Sequence, residues 1–518
     1  MNAIGYAHFE LNGGTRRLLR WVIAIVALAV VGLAAWSRNR GGFAAAAGDA
    51  RFPLALTLGI LLIVVVNARI GAAIRRDAVL DMSRSHRLMP QPAASAVAGY
   101  IVGSSLSVLA GAGTIILIGV ACTLAAGGNP ATWLFISAVL VMFGAMTWCF
   151  TAVASMPGRA ARGDKTKGSG GMGWVPWVFI GPAFGTGGSI LAVVPAVVVL
   201  LGPLIGRTIF TAGSVSDFTW AHGASAAFQA GFAAIFFIAA CRKYERDEPP
   251  AMDAVLWLGI IALIVGASLV GIARFEAFRP QIFRNAELWH NVAVPATLCL
   301  LLLLLPAGLA ASERRVLTWR YRRNVGDPLA DESRPGISSL VALVAFLAIG
   351  ATFVIFAPDT EIVSAGSHGR AWALTGASFF LGAVLLFALV RIGHRLGPTR
   401  VLSSAVLLLW VLPILAAAAW AFREDGNLTR TFNPIASFST PGAILAAWLG
   451  RTDGGQHAMT ASTLAYWPGV AFQALVAAGA VLVAARVPDR MSQPAVREEP
   501  APVSQASPEG PVAASRLP

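Results

Sequence analysis

The side chains best equipped for chemistry lie close together: Arg75, Arg76, Asp77, Asp81, Arg84, Ser85, His86 and Arg87 crowd into one stretch ahead of Leu88-Met89-Pro90. Guanidinium, carboxylate, hydroxyl and imidazole groups at this density form ion pairs and charge-assisted hydrogen bonds with a charged partner. So polar a segment cannot lie in hydrocarbon, which places it at or outside a membrane face. A second set, His222, His290, His368 and His457, offers imidazoles, the common axial ligands of haem. These four are expected on one, outer, side at span edges or in loops, where a histidine also needs no special role.

Several chemistries are excluded by missing patterns. A phosphate-binding P-loop needs Gly-Lys followed by Ser or Thr, yet the only lysines are Lys165, Lys167 and Lys243, none preceded by Gly. The zinc-protease pattern HExxH does not occur, and His222 with Ser225 or Ser189 forms no motif that sets a serine beside its base. Cys122, Cys149, Cys241 and Cys299 make no CxxC pair and fall in or beside apolar runs, as core residues would. Gly185-Thr186-Gly187-Gly188-Ser189 reads either as an anion-cradling turn or as a packing segment; no strand, Lys or Arg accompanies it.

The elements that must position these groups are membrane spans. Hydrophobic residues make up 57% of the chain and charged ones 12%, which identifies a polytopic membrane protein. A net charge of +14 would point to nucleic acid in a soluble protein; here basic loops report topology first, and no nucleic-acid partner is expected. Twelve apolar runs of about 16 to 34 residues each suffice to cross a hydrocarbon core about 30 Å thick. They lie near 21–36, 53–68, 95–126, 131–156, 173–205, 221–241, 254–272, 291–311, 339–357, 371–390, 401–421 and 467–485. With the amino terminus inside, about 28 of the 39 Lys and Arg fall on cytoplasmic segments, and both termini are cytoplasmic. The first run, following Arg16, Arg17 and Arg20, is read as an uncleaved anchor, with a removed signal as the alternative.

The expected fold is thus all-α, a polytopic transmembrane helical bundle of about twelve spans. Residues 1–251 form a six-span half with a cytoplasmic hinge at 73–94, and residues 252–486 a second six-span half with a large outer loop at 422–466. Pro-rich residues 487–518 form a disordered cytoplasmic tail. The third run is long enough to require a tilt, a kink or an interfacial start. The fifth, interrupted by Pro176, Pro182, Pro195 and Pro203, is read as broken or re-entrant. Residues Ile444 to Leu449, too short to span, are expected to form small helices on the outer surface. The aromatic residues Phe275, Phe278, Phe283 and Trp289 read as an interfacial segment or a simple belt.

The charged stretch ending in Pro90 just before the third span resembles the membrane subunit of ABC transporters of the second exporter class. Asn433-Pro434, then Trp467-Pro468 and a terminal span closing in Arg486, are similar to the last segment of those permeases. The resemblance implies that Arg76, Asp77, Asp81, Arg84, Ser85, His86 and Arg87 dock an ATP-binding subunit that carries the ATP and magnesium. It further implies an inner-membrane location and a homodimer or a second permease as partner. The chain departs from the family in having twelve runs in place of six, in lacking a Gly-Thr-Leu-Glu-like hinge sequence, and in placing Tyr100 after Gly99 where a Lys is usual.

No expected span contains Asp, Glu, Lys or Arg, whereas ion-coupled carriers place an ionisable group near mid-membrane, so the energy source is expected on a separate ATPase. The chain itself is read as a transport component and not an enzyme. The alternatives are a facilitator or assembly factor independent of ATP, whose hinge is an ordinary basic loop, and a haem-handling membrane protein.

Overall fold

The computed structural model describes residues 3–39, 42–80, 82, 91–156, 195–205, 215–245, 252, 254–274, 286–309, 335–356, 365–396, 404–405, 407–425, 434–449 and 463–486. In hydrocarbon each backbone N–H and C=O must find its partner inside the segment, so long apolar runs become helices. Every regular element among the described residues is helical, and none is a strand. In chain order, helix α1 spans Ala3–Leu11 and α2 Gly14–Asn39. Two unbroken spans follow, α3 over Phe43–Val79 and α4 over Ala93–Ala125. Next come α5 (Pro130–Ser155), α6 (Pro195–Ile205), α7 (Val215–Glu245), α8 (Ala254–Ala273) and α9 (Ala286–Leu309). The chain continues with α10 (Pro335–Phe356), α11 (Ala365–Leu396), α12 (Leu412–Asp425), α13 (Thr440–Leu449) and α14 (Trp467–Arg486).

Eight of these helices are long and apolar enough to cross a membrane, and shorter apolar helices at Ala293–Leu305, Leu343–Phe353 and Leu407–Ala419 fall on three more of the expected runs. The protein is a multi-pass helical membrane protein. Of the fifth run only Pro195–Ile205 is described, and the glycine turn at 185–189 lies outside the described residues.

Helices α3 and α5 run side by side in the same direction: Gly59 lies against Leu140, Leu62 against Gly144 and Gly71 against Ser155. Their contact is tied by neutral polar bonds. Asn67 Nδ2 donates to Thr147 Oγ1 (2.9 Å) and Thr151 Oγ1 to Asn67 Oδ1 (2.7 Å). Where α3 loosens into a π-helical turn at Ile60–Val65, Val66 N–H bonds Leu61 O, and Trp148 Nε1 of α5 donates to Leu62 O at 2.6 Å. An indole thus takes a carbonyl that the wider turn exposes. Helix α4 carries a similar π-helical turn at Gly99–Gly103.

Helix α7 runs parallel to α5, with Phe150 and Phe236 edge to face at 5.2 Å, and antiparallel to α8, where Gly231 meets Leu263 and Gly259 meets Ile235. Two large apolar cores result, beside a small one at Ala388, Ile392 and Ala484. One gathers Ile4, Leu62, Ile70, Trp133 and Tyr244; the other gathers Ile261, Leu298, Phe346, Phe353, Phe379 and Ile444, with Phe346 and Phe379 stacked at 5.5 Å.

Candidate coupling site at the base of the charged stretch

Helix α3 has 37 residues, about 55 Å at ~1.5 Å per residue, so it overshoots a hydrocarbon core about 30 Å thick. Its last turns are amphipathic. Val66, Ile70, Ile74 and Asp77 recur at helical spacing and are buried, whereas Arg75 and Arg76 are exposed. The sequence therefore drives Asp77, only 3% exposed, into the apolar core together with its neighbours.

A carboxylate so placed must be paired or strongly hydrogen-bonded. Tyr100 of α4 donates its hydroxyl to Asp77 Oδ2 at 2.7 Å, and His8 Nε2 of α1 lies 3.0 Å from the same oxygen. The His8 ring tilts against Tyr100 (centroids 5.1 Å), and Tyr244 of α7 meets Tyr100 edge-on at 6.5 Å. His8 itself is 3% exposed. One carboxylate thus joins α1, α3 and α4.

The chain reaches this arrangement through a glycine elbow. Gly13 (φ +91°) and Gly14 (φ +48°) adopt left-handed conformations that glycine tolerates without a Cβ clash, and they break the chain between α1 and α2 where α1 packs on α4. Asn12, at the elbow, donates to His8 O (2.9 Å) and to Ser104 O of α4 (3.3 Å). A Cβ on Gly103 would stand 2.3 Å from Gly5 O, so the backbones of α1 and α4 approach as closely as only glycine permits.

Of the docking residues expected from sequence, Arg76 is exposed at the end of α3 and Asp77 faces inward. Asp81, Arg84, Ser85, His86 and Arg87 lie outside the described residues. Helicity of the stretch extends through Val79, although its apolar residues make no clean stripe beyond Ile74. Sequence reasoning missed His8, Asn12 and Tyr100. The helical spacing from Val66 to Asp77 could have revealed the inward carboxylate; Tyr100 supplies its hydroxyl to that carboxylate.

Of the four histidines expected on the outer side, only the side chain of His222 is among those described. His222 is 2% exposed with its ring 6.4 Å from Phe135, and His457 lies outside the described residues. Among the described residues no three His, Cys, Asp or Glu side chains are grouped to hold a metal.

A second polar cluster lies at the start of α13. This helix was expected on the outer surface, but Thr440, Ala443 and Ile444 are at most 1% exposed, packed among α9, α11 and α14. Its first residue, Thr440, lies against Gly382, midway along the apolar span Trp372–Ile392 of α11. Small residues make room for it: a Cβ on Gly382 would fall 2.5 Å from Thr440 Cγ2, and one on Gly469 would fall 2.1 Å from Ser437 Oγ. Gln473 of α14 donates to Ser437 O (2.7 Å) and accepts from Thr440 Oγ1 (3.1 Å). Ser439 caps the helix by accepting from Gly442 N–H at 3.0 Å. A ten-residue helix is too short to span, and it is buried because its donors and acceptors are met inside the bundle.

Fold and site together define a multi-pass helical membrane protein whose charged stretch is rooted in the bundle through a buried carboxylate. No family model, curated protein or solved structure matches the chain.

Proposed function

We propose that the chain is the membrane-spanning permease of an ABC transporter of the second exporter class, driven by a separate subunit that binds ATP and magnesium. In this reading it has twelve spans, lies in the inner membrane with both termini in the cytoplasm, and pairs with a second permease or a second copy of itself. The observation that carries the reading is the anchorage of Asp77. The last turns of α3 carry the exposed Arg75 and Arg76, while the next residue ties the same turn to His8 and Tyr100. A partner that engages the charged stretch therefore pushes on α1, α3 and α4 together. Work done by an ATPase passes into the spans by mechanical transmission, with no covalent step in this chain.

The test is co-purification from native membranes solubilised in mild detergent, comparing wild type with Arg76→Glu and with the pair Arg84→Glu, Arg87→Glu. An ATPase subunit is expected with the wild type and lost from the folded variants. Retention by all variants removes the docking assignment. Absence of any ATPase from the wild type turns the reading to a facilitator or assembly factor.

A further inference from the structure

We propose that Arg17 of α2 and Arg69 of α3 form a binding site for the phosphate of an acidic phospholipid, at the elbow between α1 and α2. The site goes beyond the permease reading and does not depend on an ATPase.

Both guanidiniums converge on one neutral residue. Arg17 Nη1 donates to Asn12 O and Arg69 Nη1 to Asn12 Oδ1, each at 3.4 Å, beyond the usual range of about 2.7 to 3.2 Å for such bonds. They are near enough for the charge of one to act on the other. Among the described residues no acid forms an ion pair with either arginine. Asp77, eight positions beyond Arg69, bonds His8 and Tyr100. Glu10, the acid nearest in sequence, lies with its carboxylate against Gly14 and pairs with neither arginine. Two like charges held at one residue, Arg69 partly buried and Arg17 exposed, repel each other, and an anion between them reverses the sign of that energy. Guanidinium forks suit phosphate in particular, because each presents parallel N–H donors to two oxygens.

The surroundings select a lipid over a soluble anion. Arg16 and Arg20 are exposed beside Arg17 and add positive charge at the same level. From there Leu19, Ile23, Val26 and Val30 form an exposed stripe at helical spacing down α2, and none of the apolar window of this helix is buried. A ligand with a negative head and apolar chains covers both features; inorganic phosphate would satisfy only the charge. Bound there, the headgroup would link α2 to α3 beside Asn12, which already reaches α4 through Ser104 O.

The full chain, purified in a neutral detergent, would be titrated with phosphatidylglycerol, with phosphatidylcholine of the same acyl chains, and with inorganic phosphate. Thermal unfolding and retained lipid per chain by native mass spectrometry are read. Phosphatidylglycerol is expected to stay bound and raise the midpoint while the other two do not. Arg17→Gln and Arg69→Gln should each weaken its retention by about tenfold, the loss of one charge-assisted fork. Arg423→Gln, exposed on α12, should leave retention unchanged. Equal behaviour of the two lipids, equal protection by inorganic phosphate, or full retention by Arg17→Gln overturns the proposal. Arg17 is exposed, so its replacement decides the matter even if Arg69→Gln unfolds.

Discussion

Two regions fasten a short helix to the bundle by polar bonds, and they use opposite chemistry. Helix α1 is held through a carboxylate that takes bonds from a phenol and an imidazole. Helix α13 is held through the neutral amide of Gln473 between a hydroxyl and a carbonyl. The difference follows depth. Asp77 lies two residues from the end of a helix that overshoots the hydrocarbon, whereas Thr440 sits beside Gly382 at the middle of a span. A full charge at that middle depth costs about 2.5 to 3.5 kcal/mol on insertion scales, and a satisfied amide avoids this cost. A third contact, Asn67 with Thr147 and Thr151, obeys the same rule inside α3 and is also neutral.

Exchanging the chemistry between the regions tests the contrast. The largest effect is expected from Asp77→Ala, which leaves His8 and Tyr100 buried without their shared acceptor and should cost about 3 kcal/mol or more. Amide exchange should then rise across residues 3–11, and an equal rise across 434–449 would show that the regions are not independent. Next comes Gln473→Glu, which puts a carboxylate at mid-depth and should cost about 2.5 kcal/mol at neutral pH. Acid should relieve this loss, since protonation of the new side chain restores neutrality; a loss that is flat with pH would break the depth argument.

Gly469→Ala should cost about 2 kcal/mol, because its Cβ meets Ser437 Oγ at 2.1 Å and the Ser437 carbonyl carbon at 2.5 Å. Its disturbance should stay in 434–449 and spare α1, as read by exchange. The smallest effect is expected from Trp148→Phe, about 1 kcal/mol, which removes the bond to Leu62 O but keeps a ring in place. No loss of stability on thermal unfolding would mean that another donor reaches that carbonyl.

Much of this was legible in the sequence. The apolar runs near 21–36, 131–156 and 467–485 read as spans because hydrocarbon leaves the backbone no alternative to helix, and each coincides with a helix long and apolar enough to cross. The inward face of Asp77 was also readable, since Val66, Ile70 and Ile74 precede it at helical spacing. Its partner His8 was not, lying 69 positions away, since no local rule pairs residues that far apart. Helix α13 misled for a different reason: ten residues between polar segments look like a surface piece, and only the gaps left by Gly382 and Gly469 admit it to the interior.

The sequence by itself determined that the chain is a helical membrane protein with one dense charged stretch, because composition and run length act locally and need no knowledge of neighbours. The tertiary structure alone decided what the inward carboxylate holds, which short helix lies buried beside the middle of a span, and which arginines meet at Asn12. Those outcomes depend on surfaces brought together from distant parts of the chain, where burial and hydrogen-bond satisfaction are settled jointly.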